Sequence, residues 1–137
     1  MKKYRFLDHT ADVKFQAFGA TLEELFTNAA LAMASLMCKE KISARSSVRV
    51  HVEGRDLENL LYNFLEEFLV LFDSRSFLLA KVETIAIDDR ELRLDAEAVG
   101  DLAGNYEIYL GIKAVTYSDM VVREENNTWL AQVVLDV

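Results

Sequence analysis

Proline is absent from this chain of 137 residues, glycine occurs five times and cysteine once. Without proline, repeats, low-complexity tracts or a shift in composition, nothing marks a linker, so one domain over residues 1–137 is expected. A chain of this size, 52% hydrophobic, can bury a real core. The lone Cys38 excludes an intramolecular disulfide and a thiolate metal cluster within the chain. Its position behind Met37, at the end of a periodic apolar segment, suits a small core residue. No run approaches the ~20 apolar residues of a membrane span. The N-terminal MKKYRFLDHT carries two lysines but no apolar stretch, so a soluble, cytoplasmic protein is expected. Positive charge is also scarce. Fifteen basic against 23 acidic residues give a net charge of −8, which repels a phosphate backbone, and direct nucleic-acid binding is not expected. Such a surface suits cations, a basic protein partner, or simply solubility. The dinucleotide fingerprint GxGxxG, a phosphate loop ending in Gly-Lys-Ser/Thr, HExxH and GxSxG are all missing.

What is present reads as mixed α and β structure. A strand pattern runs to Gly19. Thr21 and Glu24 then have the spacing of a capping box, and Leu22, Leu25, Phe26, Ala29, Ala30, Met33, Leu36 and Met37 form one helical apolar face. Val48, Val50 and Val52 alternate with Arg49, His51 and Glu53, the pattern of a strand with one wet face, on which His51 reads as a solvated side chain. Asp56 is a good N-cap for a second helix carrying Leu57, Leu60, Leu61, Phe64, Leu65, Phe68, Leu71 and Phe72. Its apolar face is broader, and it is expected to be the more buried helix. Residues 77–87 and 91–99 read as a hairpin, 100–111 as a loop or short turn, and the stretches around Asn126-Asn127 as a final hairpin. The expectation is an α+β fold: a single two-layer domain with two helices packed on a largely antiparallel sheet.

Most carboxylates have a plain explanation. Glu23, Glu24, Glu66 and Glu67 lie on wet helix faces or caps, while Asp88 and Asp89 suit a turn. Asp8, Asp12, Asp119 and Asp136 remain. Asp136 follows the apolar run Val133-Val134-Leu135, and its side chain and the α-carboxylate of Val137 can turn toward one point. Two negative charges at that distance either raise one pKa or recruit a cation, and Asp12 as a third acid would favour the cation. Oxygen donors of this kind suit calcium, magnesium or manganese. Equally open is an exposed Asp136, with Asp8 or Asp12 capping a turn, because spacing alone does not bring Asp12 to Asp136. A Ser118, Asp119, His9 triad has nothing in the sequence to assemble it. Lys113 suits either an edge lysine or a group facing an anion.

Three stretches together resemble the archease family: FLDHTADVKFQAFGATLEELFTNAALAMASLM, then GIKAVTYSDM, then WLAQVVLDV, in order over nearly the whole chain. The LDHTADV and AVTY segments are specific, whereas the second helix would match many amphipathic helices. The resemblance implies an activator, not itself an enzyme, of the tRNA-splicing RNA ligase, which joins RNA halves with GTP and manganese through a guanylylated histidine. Such a protein promotes guanylylation and multiple turnover of the ligase and widens its nucleotide use. The resemblance also implies a bound divalent metal, calcium with magnesium or manganese as alternatives, held by Asp12, Asp136 and Val137. Asp8, His9, Lys113 and Asp119 fall in the same motifs as supporting or partner-contacting groups. One position departs from the family pattern: Ser118 stands where a histidine is common, so no ligand role follows there. A metal-dependent phosphate-ester hydrolase and a chaperone-like binding module remain the alternatives.

Overall fold

The computed structural model describes residues 2–8 and 12–137. Along the chain run β1 (Tyr4–Leu7), β2 (Val13–Gly19), α1 (Leu22–Met37), β3 (Ser46–Glu53), α2 (Leu57–Arg75), β4 (Phe77–Asp88), β5 (Arg93–Leu102), β6 (Ala114–Glu125) and β7 (Thr128–Asp136). The expected α+β class is observed, and every strand pair is antiparallel. The strands divide between two sheets, β1-β2-β7-β6 and β3-β5-β4, and each helix packs against strands of both.

The local signals act as their chemistry requires. The Thr21 hydroxyl accepts from the Glu24 N–H at 3.1 Å, and the Glu24 carboxylate reaches back to the Ala20 N–H at 3.2 Å, which satisfies donors that the first turn of α1 cannot pair internally. Asp56 caps α2 by accepting from the Asn59 N–H at 2.7 Å. Asn126 and Asn127 both have positive φ, 51° and 62°, which a two-residue hairpin turn with matching twist requires. No helix among the described residues is long and apolar enough to cross a membrane.

Two expectations are corrected. The more buried helix is α1, not α2. Every residue of its expected apolar face is buried, and so are Asn28, Ala32 and Ala34. Its alanines let strands approach from more than one side, so it packs on β2 and also on β4. Asn28, nearly sequestered, donates to the Phe18 carbonyl at 2.7 Å and so locks α1 to β2. The second correction concerns residues 100–111. Strand β5 continues to Leu102, and a single 3₁₀ turn, Ala103–Asn105, follows.

Asp101, only 4% exposed, organises that turn. Its carboxylate accepts from the Tyr106 hydroxyl (2.8 Å), the Leu102 N–H (2.8 Å) and the Asn105 amide (3.3 Å), while the Tyr106 oxygen accepts from the Ser43 N–H at 2.9 Å. The hydrogen bond from Tyr106, followed by that from Leu102 and the charge of Arg45, holds the Asp101 carboxyl below the usual aspartate range. The stabilisation is therefore present above the unfolded-state value, about 3.9, and is lost as pH falls through the lower folded value. Asp101→Asn is expected to melt below wild type at pH 7, with the gap closing in acid below about pH 4. An unchanged gap from pH 7 to pH 2 in thermal melts would contradict this assignment.

Candidate functional site

Strands β2 and β7 pair with Phe15 opposite Val133 and Val13 opposite Leu135. Phe15, Val133 and Leu135 are fully buried and define the core side of the sheet. Asp12 forms a bend just before β2 and Asp136 is the last residue of β7, so the pairing that ends at Val13 and Leu135 brings both to the same end of the sheet. Like charges brought close together repel. Asp136 is exposed, whereas Asp12 Oδ1 is shielded from solvent.

The other candidates can be located from the same sheet. Strand β1 ends with Leu7 opposite Lys14, which brings exposed Asp8 to the start of β2. Lys113, just before β6, donates its N–H to the Asp136 carbonyl at 2.8 Å and therefore lies beside the end of β7 and Val137. Asp8, Asp12, Lys113, Asp136 and Val137 thus gather from four strand ends at one end of the sheet. His9 lies outside the described residues. Asp119 is set further along the outer face, in an irregular stretch of β6 between Thr116 and Val121, with φ of 52°. Its carboxylate pairs with Lys14 Nζ at 3.3 Å. Lys14 is two residues from Asp12, so Asp119 is linked to the acidic end through a lysine. Ser118 is exposed and its N–H donates to the Thr116 hydroxyl at 3.3 Å.

Sequence reading missed the groups that stiffen this face. Arg5 donates to Gln16 (2.8 Å), Gln16 to Gln132 (3.0 Å) and Gln132 to the Asp119 carbonyl (2.9 Å), a polar chain across all four strands. The only signal in the sequence was the polar alternation of VKFQAFG. Tyr117 anchors the other side of the irregular stretch: its ring stacks on Tyr62 with centroids 4.3 Å apart, and its hydroxyl oxygen accepts from the Asn59 amide at 2.6 Å.

Among the described residues no three His, Cys, Asp or Glu side chains form a metal cage. The carboxylates of Asp8, Asp12 and Asp136 lie at the ends of three neighbouring strands at this end of the sheet. All offer hard oxygen donors of the kind that suit a divalent cation. His51, on the other sheet, offers nothing comparable. Its Nδ1 faces Asp95 at 2.7 Å and its Nε2 faces Glu53 at 3.0 Å, so both ring nitrogens are engaged. Glu53 first, then Asp95, raises its pKa above 6.5. His51 is exposed, as the strand alternation implies. Cys38 is buried, as expected of a core residue.

Comparison with known proteins places these features in a wider set. The family model described as Archease protein family (MTH1598/TM1083) matches residues 4–137. A protein archease of Methanosarcina barkeri is 40% identical over 99% of this chain and 97% of its own length. The protein archease of Sulfurisphaera tokodaii is 35% identical, with both chains covered completely. Among solved structures, the solution structure of Methanobacterium thermoautotrophicum protein 1598 superposes with a TM-score of 0.84 at 34% identity, covering both chains in full. The crystal structure of an archease of Thermotoga maritima, described as a possible chaperone, has a TM-score of 0.64 at 17% identity over 96% of this chain and 94% of its own, and shows the fold alone.

Proposed function

That this chain belongs to the archease family is the premise from which we propose its function: it is a non-catalytic, cytoplasmic activator of the tRNA-splicing RNA ligase, acting through a divalent cation held by Asp12, Asp136 and Val137. The observation that carries this reading is the pairing of β2 and β7, which brings two aspartates 124 positions apart in sequence to one end of the sheet. Hard carboxylate oxygens suit calcium, magnesium or manganese, and the family resemblance puts calcium first. When bound, the ion supplies a concentrated positive charge at the tip of an otherwise acidic protein, suited to an anionic group in the partner's nucleotide site.

The residues of the chain do the rest. Asp12 supplies negative charge from the bend before β2 and Asp136 from the end of β7, where its carbonyl accepts from the Lys113 N–H. Lys14, tied to Asp119, keeps a cation on the same face and moderates the field of the acids. Asp8 and Lys113 border the site and are the groups a partner meets first. The net charge of −8 favours a basic protein surface over RNA, so the reading assigns RNA contact to the ligase and not to this protein.

The direct test is multiple-turnover RNA ligation by the ligase, with and without this protein. Product is expected to exceed one equivalent of ligase readily only when the protein is present. Identical progress curves in the two arms would overturn the proposal.

A further inference from the structure

A second feature lies at the far end of the same sheet. Strand β1 is the outer strand of one sheet and β4 the outer strand of the other, and α1 packs on both. The one stripe of α1 beyond its first turn that stays partly open, Thr27, Leu31 and Ser35, follows helical i, i+4 spacing. Leu31 and Ser35 line a groove of about 650 Å³ bordered by β1, β4 and the segment after α1. Leu31, Ala34, Cys38 and Leu79 make its floor apolar, while Lys3, Lys39, Lys41 and Lys81 ring it. Among the described residues Glu40 is the only acid in the lining, and its carboxylate already accepts from the Glu107 N–H at 2.8 Å. Four lysines against one glutamate give this lining a charge of +3, in a chain whose net charge is −8.

Among the described residues no strand pairs with the outer edge of β4. Near its far end, outside the groove, the Ile87 N–H donates at 3.3 Å to the Glu23 carboxylate of α1, where a neighbouring strand would offer a carbonyl. Toward the groove, β4 departs from regular pairing with β5 twice, between Leu79 and Lys81 and between Val82 and Thr84. Bulged edges of this kind bend a strand and interrupt its ladder. Two of the lysines have mild partners: Lys39 lies over the Tyr109 ring at 4.7 Å, and Lys81 pairs with exposed Glu83 at 3.1 Å. Both contacts are at the surface, where such pairs contribute little and exchange readily.

We propose that this groove receives an extended acidic segment of a partner protein, added as a strand along the free edge of β4. Main-chain hydrogen bonds to the edge supply affinity, and alternate side chains supply selectivity: carboxylates toward Lys39, Lys41 and Lys81, apolar groups onto Leu31 and Leu79. A nucleic acid suits the groove less well, because an apolar floor gives nothing to a phosphate backbone and the chain as a whole repels one. Tyr4, in the groove, pairs with Ala17, whereas Leu7 pairs with Lys14 near the acidic end, so the groove and the Asp12/Asp136 end are separate surfaces. Edge lysines also guard against strand association, and the test separates that role from docking.

The test is a heteronuclear NMR titration with a synthetic peptide of about eight residues alternating glutamate and valine. A lysine–valine peptide and an oligouridylate of equal length serve as the other arms. The acidic peptide is expected to shift residues 31–43 and 79–83 and to slow amide exchange at 79–81. The double variant Lys39→Glu, Lys41→Glu alters two exposed side chains and is expected to bind about tenfold more weakly, with circular dichroism confirming its fold. The proposal is overturned by no shift at millimolar peptide, by equal response to the lysine–valine peptide or in the double variant, or by no change in amide exchange. Shifts at these residues with oligouridylate alone would likewise overturn it and make the groove a polyanion site.

Discussion

Asp136→Asn is expected to return RNA ligation to the level of the ligase alone, and to do so without weakening the fold. The substitution keeps the size of the side chain and removes one of two negative charges that the β2–β7 pairing brings to one end of the sheet. Without metal, the loss of like-charge repulsion leaves the variant at least as stable as wild type. With metal, the order reverses. A cation bound only to the folded state stabilises it by RT ln(1 + [L]/Kd), about 2.7 kcal/mol at a hundredfold excess over Kd. Wild type is therefore expected to melt several degrees higher on addition of calcium, while Asp136→Asn stays where it was. Asp12→Asn should also lose stimulation of the ligase. Thermal melts with and without calcium, magnesium and manganese, run beside the ligation assay, separate the alternatives. Full stimulation by either variant would refute the carboxylate-held cation and favour a chaperone-like module. Turnover of a phosphate ester by the isolated protein with manganese, lost in the variants, would instead indicate a hydrolase.

The parts of this structure that were legible in sequence are those fixed within a few residues. Thr21 and Glu24 announce the start of α1 because capping is a contact across three positions, and Asp56 does the same for α2. Val48, Val50 and Val52 announce β3 because pleating alternates with period two. Asn126 and Asn127 announce their turn because few residues accept positive φ. Partner choice is different in kind. Gln16 bonds Gln132 across 116 positions, and no periodicity states which strand β2 will join or that the strands form two sheets. The site follows the same division. Asp12 and Asp136 could be singled out among the acids, but their meeting at one end of the sheet is a property of the strand pairing. Lys14, Gln16 and Gln132 were passed over because each looks like an ordinary wet-face residue until its cross-strand neighbour is known. The burial of α1 was misjudged for a related reason: four alanines lower the apparent breadth of an apolar face while permitting closer packing from two directions.

Gly100→Ala is expected to be a severely damaging single-methyl change that has no bearing on charge. Gly100 reads in sequence as a loop residue, yet it sits inside β5, opposite Ser46 on one side and Leu79 on the other. The reason for glycine is space and not backbone conformation, since its φ is not positive. A Cβ built there would meet the Leu78 carbonyl oxygen at 2.0 Å and the Phe77 ring at 2.9 Å. Neither neighbour has room to yield: Leu78 is 1% exposed and Phe77 5%, and the obstructing oxygen is main chain. Relief therefore requires β4 to shift from β5, which also disturbs Asp101, the next residue, and the turn it secures. Overpacking of a rigid core commonly costs 1–3 kcal/mol, and a main-chain obstruction belongs at the upper end, about 3 kcal/mol, or roughly a 10 °C fall in Tm for a domain of this size. Gly104→Ala provides the contrast, because an added Cβ there meets no atom within 4 Å. That variant should melt within about 2 °C of wild type. Equal melting temperatures for the two variants would show that β4 and β5 are free to separate at this point, and would remove the close approach as the reason for glycine at position 100.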